Sequence, residues 1–105
     1  MIKTYNKLVR DRIPEIIEAC GKQCRVEVLS EEDYLRMADA KLDEELAEYH
    51  QDGNVEELAD LLEVIYAAAT ARGCSREELE RIRAAKAEER GGLEMRLLLI
   101  DVSDT

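Results

Sequence analysis

The chain has 105 residues, enough for a single domain, and 38% of them are charged. A net charge of −10 argues against a surface that binds nucleic acid polymers or anionic membranes. No apolar run approaches the ~20 residues of a membrane span, and residues 1–11 lack the apolar segment of a signal peptide, so we expect a cytoplasmic protein.

The composition indicates a mainly helical chain with an aliphatic core. There is no Trp or Phe and one Pro, whereas Ala, Leu, Glu, Arg and Lys are abundant. Small helical domains bury a limited core, and assembly with further copies is the usual remedy.

The first elements in the chain are predicted to be short. Asp11 is expected to cap a helix that has Pro14 in its first turn and ends at Gly21. Residues 25–29 then alternate between polar and apolar side chains, which is typical of a strand.

A long second helix is expected to begin at Ser30, followed by Asp33 in the manner of a capping box, and to run to about residue 51. Its apolar positions recur at helical spacing, and Glu45 falls into the same series. A carboxylate at a core position is costly unless it is paired or metal-bound, so this conflict marks a candidate functional site.

The third helix follows a turn signal at residues 52–54, and Asn54 is its expected cap. The Glu57 carboxylate would then either face the preceding helix or reach back to this cap. From Leu61 to Ala71 the only charged residue is Glu63, which is either near a site or solvated. A helix that is apolar nearly all round needs cover, so we expect a homodimer or a dimer of dimers.

The fourth helix is predicted from Ser75, with Glu78 three residues on, to about Arg90. Residues 93–100 resemble a strand that would pair with residues 25–29. The expected fold is therefore all-α: an antiparallel four-helix bundle with a central αα hairpin and a minor two-stranded β element, assembled as a homo-oligomer.

When the chain folds at Gly53 into two antiparallel helices, residues that face each other have position numbers that add up to the same total. Glu48 then faces Glu57 and Glu45 faces Asp60, in two layers ~4.5 Å apart along helices whose axes lie ~8–10 Å apart. Four converging carboxylates without nearby His or Cys ligands favour a hard divalent cation, Mg²⁺ or Mn²⁺. The alternative is two solvated acidic faces that never meet.

The acidic pattern also resembles a known signature. Glu44-Glu45-x-x-Glu48 followed by Glu57-x-x-Asp60 is similar to the EExxE…ExxD motif of the all-α nucleoside triphosphate pyrophosphohydrolases, the MazG-like superfamily. Residues 6–11 (NKLVRD), Ile13-Pro14 and residues 89–92 (ERGG) resemble its small phosphoribosyl-ATP pyrophosphohydrolase-like branch. The resemblance covers nearly the whole chain, as a single domain over residues 1–105.

The resemblance implies Mg²⁺-dependent cleavage of a nucleotide between its α- and β-phosphates, in a house-cleaning role. Glu44 would orient or deprotonate the attacking water, or bind a further ion. The implied metal ligands are Glu45, Glu48, Glu57 and Asp60. The candidate phosphate ligands are Lys7, Arg10, Lys41, Lys86 and Arg90, each of which could instead form a surface salt bridge.

Only eight residues separate Glu48 from Glu57, which leaves no long loop to indicate the base or sugar of the substrate. A non-enzymatic helical module that binds metal or nucleotide is the alternative to the enzyme.

Overall fold

The central hairpin organises the computed structural model, which describes residues 1–104. Its two helices are α2 (Glu31–Asp52) and α3 (Val55–Ala71). They are flanked by α1 (Ile13–Ala19) and α4 (Arg76–Arg90). The all-α prediction with four helices is confirmed for the described residues.

Local signals fix the ends of the hairpin helices. The Ser30 hydroxyl accepts a hydrogen bond from the Asp33 amide at 3.1 Å, and the Asn54 side chain accepts one from the Glu57 amide at 3.0 Å. Gly53 ends α2 with a φ of +65°, a conformation that glycine adopts without steric cost. The predicted turn is therefore confirmed, and it joins α2 to α3 through two residues.

The predicted beginning of α1 was one residue early. The helix begins after Arg12 rather than Asp11, and no side chain caps it. Pro14 lies in the first turn as expected. α4 begins after Ser75, whose hydroxyl accepts from the Glu78 amide at 3.1 Å, and it ends at Arg90 as predicted.

No strand occurs within residues 1–104, so the two-stranded element is not formed in this chain. Residues 25–29 and 93–100 are irregular and largely exposed. The alternating pattern alone does not make a strand, because a strand needs a partner edge to receive its backbone hydrogen bonds.

Packing is confined to the hairpin. α2 lies along α3, α4 contacts α3 alone, and α1 contacts no other described helix. A closed four-helix bundle is therefore not formed by the described part of a single chain. In that part only Ala38 and Val64 are buried apolar residues.

The molecule is elongated for its size. Its radius of gyration is 18.5 Å and its longest dimension is 67 Å, whereas a compact chain of ~100 residues has a radius near 13 Å. Its accessible surface is 9763 Å², against about 6,000 Å² expected for a folded monomer of this mass.

Candidate metal centre

Five side chains from the hairpin form what we call the carboxylate cluster: Glu44, Glu45, Glu48, Glu57 and Asp60. Carboxylate oxygens of Glu44, Glu45 and Glu48 lie within 4.8 Å of one another, and so do those of Glu45, Glu57 and Asp60. Glu45 belongs to both groups and joins them. The predicted approach of Glu45 and Asp60 across the hairpin is therefore confirmed, whereas Glu48 and Glu57 fall in different groups that only Glu45 connects.

Glu45 is the buried member of the cluster. It is 7% exposed, and its Oε2 atom is buried with no hydrogen-bond partner. Its Oε1 atom lies 3.5 Å from Lys41 Nζ. Burial raises the pKa of Glu45 above its usual value, and the neighbouring Glu48 carboxylate raises it further. A buried carboxylate oxygen without a donor is costly, and a bound cation would satisfy it.

Glu57 provides a second unpartnered oxygen. Its Oε2 atom is buried without a hydrogen-bond partner, so the carboxylate does not reach back to cap its own helix. Desolvation raises the pKa of Glu57, and the neighbouring Asp52 raises it further. Asp52 ends α2 and was not among the predicted site residues. Asp52 and Glu57 lie close together on opposite sides of the two-residue turn, and this closeness was the sequence signal that could have identified Asp52.

Three cations surround the cluster. Lys7 Nζ lies 2.8 Å from Glu44 Oε1, and Arg10 donates a hydrogen bond of 2.8 Å to Asp60. Lys41 Nζ lies 3.6 Å from Glu44 Oε2. The irregular N-terminal segment is thus held against the hairpin by side chains that the resemblance assigned to phosphate.

These contacts set the acidity of Glu44. Its hydrogen bond from Lys7 lowers the pKa of the carboxyl group below the usual range, and Lys41 acts in the same direction. The same bond raises the pKa of Lys7. Glu44 is therefore a weaker base than Glu45 or Glu57 while Lys7 is bound to it.

The charges within the site do not balance. Five carboxylates and three cations leave a formal charge of −2, before Asp52 is added. One divalent cation carries the opposite charge, and clustered oxygens are the ligands that Mg²⁺ and Mn²⁺ prefer. Glu45 and Glu57, which have the buried unpartnered oxygens, share a group with Asp60 that fits such an ion, and Glu48 would join them through the second group of Glu45. Their metal role stays a prediction.

Two of the predicted phosphate ligands lie away from the cluster. Lys86 and Arg90 are exposed on α4, which has no contact with α2, and neither side chain forms a hydrogen bond or ion pair with a described residue. Glu63 is likewise exposed and outside the cluster. The structure therefore brings Glu44 together with the seven other candidates from the N-terminal segment and the hairpin. The two candidates on α4 lie apart from them.

Comparison with known proteins gives a partial match. A protein from Mycolicibacterium smegmatis (strain ATCC 700084 / mc(2)155), described as uncharacterized, is 55% identical over 42 residues. The match covers 40% of this chain and 43% of that relative. No family model and no solved structure matches the chain. Among the described residues, no helix has both the length and the apolar character needed to cross a bilayer.

Proposed function

We propose that the protein is a Mg²⁺-dependent nucleotide pyrophosphohydrolase of the MazG-like kind. The observation that carries the proposal is Glu45, a buried carboxylate with an unpartnered oxygen inside a cluster of five acids. A structural role alone does not account for it, because an apolar side chain there would stabilise the hairpin at no electrostatic cost.

The proposed reaction adds water across the α–β anhydride of a nucleoside triphosphate. The products are a nucleoside monophosphate and pyrophosphate. Mg²⁺ held by the cluster would offset the substrate charge and lower the pKa of a bound water. Removal of unwanted nucleotides in the cytoplasm is the role we assign to this activity.

Glu44 has a role that depends on Lys7. The Lys7 side chain donates a hydrogen bond to Glu44 and lowers the pKa of that carboxyl group. When phosphate draws Lys7 away, that effect is removed and the Glu44 carboxylate becomes a stronger base. We therefore assign Glu44 to orienting and deprotonating the attacking water once substrate is bound.

Arg10 and Lys41 supply further positive charge beside the cluster. Arg10 is paired with Asp60, and Lys41 with Glu44 and Glu45. Phosphate oxygens would compete with these carboxylates for the same donors. Lys86 and Arg90 join them only if α4 reaches a cluster, which it does not do within the described chain.

The chain is proposed to act as a homo-oligomer, a dimer or a dimer of dimers. Leu58, Leu62 and Ile65 follow one another at helical spacing on α3 and are 37–45% exposed. The chain exposes more surface than a compact monomer of its mass would. The difference is larger than the ~800 Å² that each partner buries in a standard interface. Assembly also offers a partner edge for the predicted strands at residues 25–29 and 93–100.

A nucleotide panel with pyrophosphate detection in Mg²⁺ tests the activity. Glu48→Gln and Asp60→Asn should each abolish pyrophosphate release. Glu63→Gln is the matched control, because Glu63 is an exposed acid one turn beyond Asp60 on α3. Activity that survives both cluster substitutions would refute the site. Metal-dependent stabilisation without turnover on any nucleotide would instead support the non-enzymatic binding module.

A further inference from the structure

We call the C-terminal part of the chain, residues 76–104, the arm. It packs little against the hairpin, and most of its large apolar side chains are exposed. It consists of α4 and the irregular segment 91–104. Arg76, at the start of α4, stacks over the Tyr66 ring of α3 at 4.0 Å. Apart from α3, α4 contacts no described helix, and Ile82 in the middle of α4 is 52% exposed.

The irregular segment of the arm is apolar and exposed. Seven large apolar side chains within ten residues are 78–94% exposed: Leu93, Met95, Leu97, Leu98, Leu99, Ile100 and Val102. Scattered exposed apolar residues are normal, but a contiguous set of this size marks a surface that packs against a partner.

The hairpin carries a second uncovered surface, which we call the apolar stripe: Leu46, Leu58, Leu62 and Ile65. Leu58, Leu62 and Ile65 lie on one side of α3, and Leu46 lies on α2 at about the height of Leu58. Each chain therefore presents both an apolar arm and an apolar stripe. Two copies related by a two-fold axis can cover both surfaces at once.

Charge decides how two copies meet. Residues 31–71 carry thirteen carboxylates and two cations, whereas α4 carries five of each. Pairing hairpin with hairpin would bring two strongly acidic surfaces together. Residues 91–104 add three carboxylates and one arginine, so the whole arm has a net charge of −2. Pairing the arm with the hairpin therefore costs less repulsion than pairing two hairpins.

We infer that the chain forms a homodimer by arm exchange, in which residues 76–104 of each copy cover the apolar stripe of the other. This inference rests on the assembly proposed above and not on the activity. The second copy is the occupant because each chain carries both an exposed apolar arm and an exposed apolar stripe, so two copies cover both surfaces reciprocally.

Photo-crosslinking in a mixture of two isotopically labelled copies of the chain tests the exchange. A benzophenone side chain replaces Leu98 in the full-length chain, and ¹⁴N- and ¹⁵N-labelled copies are unfolded together, refolded and irradiated. Cross-links from position 98 to peptides of the apolar stripe should include the hybrid isotope pairs that random pairing of the two labelled copies produces. Cross-links confined to one isotope, or absent from the stripe, would overturn the exchange.

A second measurement addresses the contact itself. Leu98→Ala should weaken the dimer about tenfold in sedimentation equilibrium, and Leu98→Glu should leave a monomer with its helical circular dichroism intact. Gln23→Glu adds the same charge at an exposed polar position and should not change assembly. A monomeric parent chain would refute the inference. Neither measurement involves a nucleotide, so an inactive chain with hybrid cross-links would refute the proposed enzyme alone.

Discussion

At the scale of single residues, Glu45 is the position where helix pattern and chemistry disagree. Its place in the apolar series of α2 is evident from the sequence, and so is the facing position of Asp60. The spacing predicted a core position for Glu45, and the side chain is buried. It did not reveal that Asp52 would act on Glu57, because that contact depends on how closely the two helices pack at the turn, which helical spacing does not specify.

Removing the Glu45 charge should stabilise the metal-free protein. Glu45→Gln keeps the shape of the side chain but removes a buried charge that has one oxygen without a donor, a relief that outweighs the lost ion pair with Lys41 by about 1 kcal/mol. We expect the metal-free Tm at about pH 8 to rise by about 4–8 °C, and the stabilisation by Mn²⁺ to disappear. Differential scanning calorimetry at fixed protein concentration checks both, with Glu63→Gln as the unchanged control.

The cations beside the cluster should oppose metal binding when no nucleotide is present. Lys7→Ala or Arg10→Ala frees an oxygen of Glu44 or Asp60 and removes a positive charge. Because both ion pairs are partly exposed, we expect Mn²⁺ affinity to rise about two- to five-fold in titration calorimetry.

The same substitutions should weaken nucleotide binding, since each removes a cation that is proposed to contact phosphate. Lys3→Ala is the control, because Lys3 lies over the Tyr5 ring and touches no carboxylate of the cluster. Mn²⁺ affinity that falls in both variants would mean that Lys7 and Arg10 support the metal centre and do not compete with it.

At the scale of elements, the turn between α2 and α3 sets the register of the cluster. Gly53 has a φ of +65°, and a Cβ atom there would meet no neighbour, so substitution costs backbone strain alone. Gly53→Ala should destabilise the protein by about 1 kcal/mol and lower its Tm by about 4–8 °C. Chemical denaturation and calorimetry provide the measurement.

Gly92→Ala is the matched control for the turn. Its backbone does not lie in the left-handed region, and an added Cβ would lie 3.8 Å from the Glu94 side chain, an ordinary contact. Equal losses of stability in the two variants would show that the left-handed turn is not the cause.

Helix ends were more predictable than the segments between helices. Ser30, Asn54 and Ser75 each have a side-chain oxygen that accepts a local amide hydrogen bond, so the signal and the bond lie within four residues. The pairing predicted for residues 25–29 and 93–100 needs partners from distant parts of the molecule. Composition and alternation cannot supply that information, and the two segments are irregular in the described chain.

At the scale of the whole molecule, the chain combines a carboxylate cluster that has unpartnered oxygens with an extensive exposed apolar surface. The sequence indicated both assembly and a metal centre, through the apolar α3 and the facing acids. It could not indicate that α4 would contact α3 alone, because helical periodicity is the same whether a helix packs within its own chain or against another copy.

The stability of the metal-free protein should depend on pH in two opposite ways. The pKa values of Glu45 and Glu57 are raised, so stability falls as pH rises above about 4.5, the value expected in the unfolded chain. The pKa of Glu44 is lowered by Lys7, so its contribution is lost as pH falls below the same value. These groups together predict greatest metal-free stability near pH 4.5.

Mn²⁺ should reverse the alkaline part of this profile. The metal binds deprotonated carboxylates, so the gain in Tm should grow as pH rises from about 4.5 towards 8. Thermal melts across this range, with and without saturating Mn²⁺, provide the check. A gain in Tm that is independent of pH would contradict a role for the raised carboxylates in metal binding.

The two-residue turn has a further consequence for the folding rate. Glu45 and Asp60 are brought together by a short loop, so they meet early, when the hairpin first closes, and not in a late docking step. Their repulsion then belongs to the folding transition state as well as to the native state. A divalent cation should therefore accelerate refolding in stopped-flow experiments, whereas a metal that bound only the finished fold would slow unfolding and leave the refolding rate unchanged.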